Sequence, residues 1–262
     1  MLLQDKVLVI SGIGPGMGKE LVIEAARQGA KLAIAARTAS KLDDSEAELR
    51  GLGLDNEIIK VPTDISDNAQ CLNLIAKTVE AFGRVDCLIN SAYNPGSFGP
   101  IETADLQGWR EALEVNLFGT MQLTQAAIPH LKVAGNGAIV MINSMVTRIP
   151  QAMQGGYATS KSALTSATAN LALELGKYNI RVNTAYMGWM YGPPVESAIK
   201  MMAKAAGTDF ETEKAKIESG IALGKIPDDA DCAKAAIFLA SDYACAITGA
   251  SLDVNGGEFF PR

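Results

Sequence analysis

The sequence predicts an α/β protein: one domain built on a parallel sheet with helices on both faces. Three observations carry that expectation. Short apolar runs alternate with amphipathic segments along nearly the whole chain. The runs are continuously apolar rather than alternating, as strands buried on both faces are. The chain has 262 residues, 48% of them hydrophobic and 20% charged, which is long enough for a sizeable core and too apolar for disorder.

In chain order, Lys6–Ile10 reads as a first strand and Met17–Gln28 as a helix. Leu32–Ala36 is a second strand. Ser40, with Asp43 three residues on, signals the start of a helix that runs to about Leu49. Glu57–Val61, the helix Ala69–Phe82 and the strand Val85–Asn90 follow. A long helical pattern spans Asp105–Leu131. Ala138–Ile142 is a fifth strand, and a helix beginning near Gly155 ends near Gly176. Ile180–Asn183 is a sixth strand, Asp228–Ala240 a helix after Pro227, and Ser251–Val254 a seventh strand. The stretch Gly188–Gly224 breaks the alternation. It is rich in Met, Ala and Lys, and too long for a plain connection, as lids and binding loops often are. No internal repeat, low-complexity segment or linker divides the chain, so residues 1–262 read as one domain with a helical excursion at 188–224.

The net charge of −6 and the lack of a basic cluster argue against a nucleic-acid or anionic-membrane surface. No apolar run approaches the length of a bilayer span, and the first strand begins without the features of a signal peptide. Cys71, Cys87, Cys232 and Cys245 are scattered, which gives neither a zinc site nor a disulfide framework. The chain reads as soluble and cytoplasmic, with no metal. Its single histidine, His130, follows Ile128-Pro129 near a helix end and reads as structural. A Ser-His-Asp triad is therefore close to excluded, and an acid–base enzyme would have to hold its proton on another residue type.

Two stretches carry candidate chemistry. Gly12, Gly16 and Gly18 follow the first strand and open the first helix at Met17. The general GxGxxG pattern is absent, because its last position holds Met17 or Lys19. The wider spacing still lets the backbone turn tightly and approach a diphosphate at the helix N-terminus, the alternative being a glycine turn with no ligand. After the second strand, where an acid would bond a ribose 2′-hydroxyl, the chain has Arg37 and Thr38. These could pair with a 2′-phosphate, with Lys41 as a further candidate, so NADP(H) is preferred over the alternative NAD(H). An exposed arginine at a strand end is the other reading. The second stretch runs from Gly137 to Lys161: Ser144 ends a strand, and Tyr157 and Lys161 lie one turn apart on a helix.

The glycine spacing, Asn116, Ser144 and Tyr157-xxx-Lys161, in this order, resemble the short-chain dehydrogenase/reductase family over nearly the whole chain. That resemblance implies a Rossmann-type doubly wound domain with a seven-stranded parallel sheet. It implies a tetrad of Asn116, Ser144, Tyr157 and Lys161: Tyr157 as general acid–base, Ser144 orienting the carbonyl, Lys161 on the nicotinamide ribose and Asn116 holding a water. A free tyrosine titrates near pH ~10, and a nearby ammonium and a cationic nicotinamide would lower that value. The resemblance also places Met17, Asp64, Ile65, Asn90, Ala92 and Gly188 around the cofactor. Asp64 could instead cap a helix, and Asn90 could be structural.

Three positions depart from the family pattern. Tyr93 stands where the fourth-strand motif has a glycine, Met187 stands where Pro precedes Gly188, and Gly192 replaces a common threonine that contacts the nicotinamide amide. Trp189, Met190, Tyr191, Met201, Met202 and Phe210 make the excursion apolar. With Ser144, Tyr157, Tyr93 and Trp189 facing the substrate, a hydrophobic secondary alcohol or ketone is expected, with cyclic and steroid-like compounds among the candidates. A methionine-rich packing helix is the alternative. The resemblance implies a homo-oligomer, a tetramer or a dimer. Other functions to weigh are a cofactor-binding regulator or scaffold without catalysis, and an enoyl reductase, which usually places its Tyr and Lys further apart.

Overall fold

The computed structural model describes residues 1–261. Seven strands form one sheet: β1 (Val7–Ser11), β2 (Lys31–Ala36), β3 (Ile58–Pro62), β4 (Cys87–Asn90), β5 (Gly137–Ser144), β6 (Ile180–Met187) and β7 (Ser251–Val254). Their order is β3-β2-β1-β4-β5-β6-β7, and every pair is parallel. β1, β4 and β6 are buried at every residue, as a sheet covered on both faces requires. The winding reverses between β1 and β4, so a crevice opens beyond their C-terminal ends.

Helices α1 (Met17–Arg27), α2 (Ala39–Gly51) and α9 (Asp229–Ala240) cover one face through Leu21, Val22, Leu42, Leu49 and Ile237. Helices α3 (Asn68–Phe82), α5 (Thr120–Ala134) and α6 (Gly155–Leu175) cover the other through Leu74, Ile75, Leu123, Leu131, Leu164 and Leu171. The Rossmann-type doubly wound architecture expected from the sequence is the one observed.

Three local expectations change. The Asp105–Leu131 pattern is not one regular helix: α4 (Leu106–Leu113) passes into a π-helical stretch, Glu114–Gly119, and then into α5. A π-turn shifts the face that later residues present, and such turns often mark functional sites. β6 continues past Asn183 to Met187, pairing with β5 so that Ser144 lies opposite Met187. Ser40 lies inside α2, whose N-cap is Thr38 with no side-chain cap bond, so the Ser40/Asp43 spacing was not a start signal.

The excursion folds as α7 (Pro193–Ala206) and α8 (Phe210–Glu218) over a small cluster of its own. Ile199, Ile221 and Ile226 form its centre, with Trp189, Tyr191, Val195, Phe210 and Ile217 packed against them. Met201 and Met202 point outward, 68% and 38% exposed. The aromatic residues mostly hold the excursion together instead of lining a pocket.

Candidate active site

A cleft of about 590 Å³ runs along the C-terminal ends of the strands, from Arg37 at one end to Tyr157 and Lys161 at the other. Its floor is the glycine turn. Gly12 has φ +82°, and a Cβ there would overlap the backbone of Ala92 at the end of β4. A Cβ at Gly18 would overlap the carbonyl oxygen of Gly12, while one at Gly14 would meet nothing. Gly16 has φ +88° and precedes α1, which no side chain caps. The Gly12–Gly16–Gly18 spacing is thus the set the backbone requires, and it leaves a helix N-terminus free to receive an anion.

Toward the adenine end the cleft is lined by Ala36, Arg37, Thr38, Lys41, Thr63, Asp64 and Ile65. Arg37 is exposed, and no acid pairs with it among the described residues. Asp64 does not cap a helix. Its carboxylate accepts from Ser66 N (3.0 Å) and Ser66 Oγ (2.7 Å), and Asp67 caps α3 instead, accepting from Ala69 N and Gln70 N. Asn90 is turned away from the cleft. It is 3% exposed, and its amide donates to Thr124 Oγ1 (3.1 Å) and approaches Met141 Sδ (3.3 Å), which fits the structural reading. The next four residues, Ser91, Ala92, Tyr93 and Asn94, do line the cleft.

At the other end, β5 delivers Ser144 and α6 delivers Tyr157 and Lys161. Lys161 Nζ donates to the Ile142 carbonyl (2.8 Å) and lies 5.9 Å from the centre of the Tyr157 ring. Burial pushes the Lys161 ammonium down to about 8. Burial also pushes the Tyr157 phenol up to about 12, against a smaller pull downward from the Ser144 hydroxyl. This corrects the expectation that the neighbouring ammonium lowers the phenol: in the protein alone, desolvation is the larger effect. Tyr93, 57% exposed, sets its ring edge-on to Tyr157, with centroids 6.3 Å apart at 63°.

Asn116 is fully buried and does not line the cleft. Its Oδ1 accepts from Asn94 N (2.7 Å), and its Nδ2 donates to Asn94 O (2.8 Å) and Ser160 Oγ (2.8 Å). Ser160 Oγ in turn donates to the Tyr157 carbonyl (2.8 Å). Both amide hydrogens and the amide oxygen are engaged in tying the β4 loop to the first turn of α6. Trp109 of α4 braces the same turn: Cβ atoms at Gly155 and Gly156 would come within 2.6 and 2.8 Å of its ring. Trp109→Ala should therefore lower kcat about tenfold with little change in cofactor affinity, because a loosened Tyr157 is a misplaced one. Steady-state kinetics beside a cofactor titration check it.

Trp189 lines a smaller adjoining cavity of about 180 Å³, with Ser144, Gln151, Gln154, Met187 and Gly188. Met17, Gly188 and Tyr93, expected from the sequence, line the main cleft, and so do Asn94, Gln154, Pro194 and Asp229, which the sequence does not single out. Asn94 follows Tyr93 directly and was within reach of the fourth-strand motif. Nothing local in the sequence marks Gln154 or Asp229.

A doubly wound sheet, an uncapped glycine turn at its switch point and a Ser–Tyr–Lys group at the far end of one cleft define a dinucleotide-dependent oxidoreductase. A family model described as enoyl-(acyl carrier protein) reductase matches residues 12–258. L-fucose dehydrogenase of Bos taurus is 35% identical over 256 residues, covering 96% of this chain and 88% of that protein. A 2,5-dichloro-2,5-cyclohexadiene-1,4-diol dehydrogenase of Sphingobium indicum is 34% identical, covering 97% and 96%. The crystal structure of levodione reductase superposes with a TM-score of 0.91 at 26% identity, covering 98% of each chain. The chain belongs to the short-chain dehydrogenase/reductase family. It is an oxidoreductase of alcohol and carbonyl groups that works with a nicotinamide cofactor.

Proposed function

We propose that this enzyme interconverts a small cyclic secondary alcohol and its ketone with NADP(H), and that Tyr157 carries the proton. The observation behind this reading is that Ser144, Tyr157 and Lys161 share one continuous cleft with the glycine turn and Arg37. The overlaps that a Cβ would make with Ala92 at Gly12 and with the Gly12 carbonyl at Gly18 support a tightly folded turn, which fits a dinucleotide diphosphate. Arg37, Thr38 and Lys41 would hold a 2′-phosphate, and Thr63, Asp64 and Ile65 the adenine side.

When bound, the nicotinamide supplies or takes up the hydride. The chain does the rest. The Ser144 hydroxyl orients the carbonyl oxygen beside the phenol. Tyr157, pushed up to about 12, keeps its proton at neutral pH and can hand it to that oxygen as negative charge grows there. Lys161 holds an ammonium at the buried end of the cleft, anchored on Ile142. Asn116 acts as a positioning residue, fixing α6 through Ser160 and the Tyr157 carbonyl.

The substrate side is mixed rather than purely apolar. Tyr93, Met145, Val146 and Trp189 supply apolar walls, and Gln151 and Gln154 supply amides, with Gln154 Nε2 donating to Gln151 Oε1 at 2.6 Å. A ring bearing more than one oxygen fits such a surface. The sugar and the ring diol named for two relatives support that class. The segment 188–224 closes the cleft from above with Met190, Pro194 and Val195. Leu106 and Phe118 on the α4–α5 side and Leu173 on α6 are exposed, and they favour a homo-oligomer.

NADPH oxidation measured against a panel of cyclic ketones, ketoses and enones tests the reading. Alcohol products from ketones support it. The description of the family model favours a second reading, enoyl reduction, and saturation of the enone with its carbonyl intact would establish that one instead. Arg37→Ala should weaken NADPH binding about tenfold and leave NADH binding unchanged; equal losses for both would assign NADP no preference here.

A further inference from the structure

Among the described residues, Asp229 is the one acidic side chain in the cleft besides Asp64. It is the first residue of α9, and its backbone N–H donates to Tyr191 O (3.1 Å), which pins α9 to the segment after β6. Gly192 lies directly under its carboxylate: a Cβ there would overlap Asp229 Oδ2. The backbone at Gly192 is extended (φ −179°), so glycine is present for space and not for conformation. The same Oδ2 lies 3.5 Å from where a Cβ of Gly16 would be. The carboxylate thus sits between the glycine turn at Gly16 and the segment at Gly192 that follows β6. Among the described residues no side chain hydrogen-bonds or ion-pairs to it.

The charged groups facing it are few. Lys19 and Glu20 approach from α1 and Asp228 from its own turn, and Lys19 is already engaged by Glu48 (3.0 Å) and Glu20 (3.5 Å). A dinucleotide diphosphate offers only acceptors and negative charge, which a carboxylate repels. The nicotinamide end offers a carboxamide N–H, a donor that a carboxylate without a side-chain partner can bond strongly.

Building on the dinucleotide reading above, we propose that Asp229 is a cofactor-positioning residue: its carboxylate accepts the carboxamide N–H of the nicotinamide, and Gly192 is glycine to leave room for it. That bond fixes the rotation of the nicotinamide ring and therefore the face it presents to Ser144 and Tyr157. A carboxylate reaching in from α9 fills the space a side chain at position 192 would occupy.

The test compares binding of NADP⁺ with that of its 3-acetylpyridine analogue, which has a methyl ketone in place of the carboxamide, by quenching of tryptophan fluorescence. The wild-type protein should prefer NADP⁺ by about tenfold to a hundredfold, as a hydrogen bond to a charged acceptor gives. Asp229→Ala should bring the two within about twofold. Gly192→Ala, which leaves the carboxylate in the chain but pushes it aside, should do the same, and Asp229→Asn should keep an intermediate ratio. The ratio of the two affinities is read on folded protein, with the melting temperature of each variant measured alongside. An unchanged ratio in both alanine variants overturns the proposal. So does a uniform gain in affinity for both cofactors in Asp229→Ala, which would show that the carboxylate only repels the diphosphate. Failure of the wild-type protein to bind either cofactor would instead overturn the dinucleotide reading on which the inference rests.

Discussion

Tyr157→Phe is expected to lower kcat/KM by about 10³-fold or more in both directions while NADPH binding stays within about threefold. The substitution removes one oxygen and keeps the ring that stands edge-on to Tyr93, so the pocket is preserved and only the proton carrier is lost. General acid–base groups contribute roughly 10²–10⁴ in rate, and His130, the single histidine, lies on α5 outside the cleft and cannot substitute. The pH dependence gives a second readout. With the phenol pushed up to about 12 by burial, the acid form is the stable one across the neutral range, so ketone reduction should run well at pH 7. Alcohol oxidation needs the phenolate and should accelerate as pH rises above neutrality, until the Lys161 ammonium is lost above about pH 8. In the Phe variant the oxidation profile should be flat. Near-normal turnover in that variant would remove Tyr157 from the mechanism.

The sequence shows some parts of this site more plainly than others, for physical reasons. The glycines were legible because close approach of two backbones excludes every other residue: Gly12 against Ala92 and Gly18 against Gly12 leave no room for a Cβ. The Tyr157–Lys161 pair was legible because one helical turn fixes their common face. The sheet was legible because strands buried on both sides are mostly apolar, even though β6 also buries Arg181, Asn183 and Thr184. Asn90 misled, because an asparagine at a strand end can face the cleft or the neighbouring helix with the same local sequence, and it took Thr124 on α5 as partner. Asn116 was found but not its use, since the π-helical stretch that seats it against Asn94 and Ser160 leaves no periodic trace. The aromatic residues of the excursion looked like a substrate wall because composition does not show which way a side chain points; most of them pack on Ile199, Ile221 and Ile226. Asp229 was invisible for a related reason, as its meaning depends on Gly192, far away in the chain.

Lys161→Met is expected to make the protein more stable at pH 7 and nearly inactive. Lys161 is 3% exposed, and burial holds its ammonium at about 8 against 10.5 for the free side chain. Between those pH values the unfolded chain keeps the proton and the folded chain has released it, so stability rises with pH across that window. Below about pH 8 both states carry the charge, and the folded protein bears the full cost of burying it. At 1.36 kcal/mol per pKa unit that cost is about 3 kcal/mol. Methionine fills nearly the same volume without a charge, and loses the bond from Nζ to the Ile142 carbonyl, a loss of about 1 kcal/mol. A net gain of about 2 kcal/mol at pH 7 should appear in urea unfolding, and it should shrink toward zero or below as pH approaches 10.5, where the wild-type lysine is buried neutral. No gain at pH 7 would mean that the cleft solvates the ammonium well enough to hold it at no cost. A gain with activity retained would mean that Lys161 serves packing alone. The combination of higher stability and lost turnover would show that the charge is kept in the cleft for the reaction, at the fold's expense.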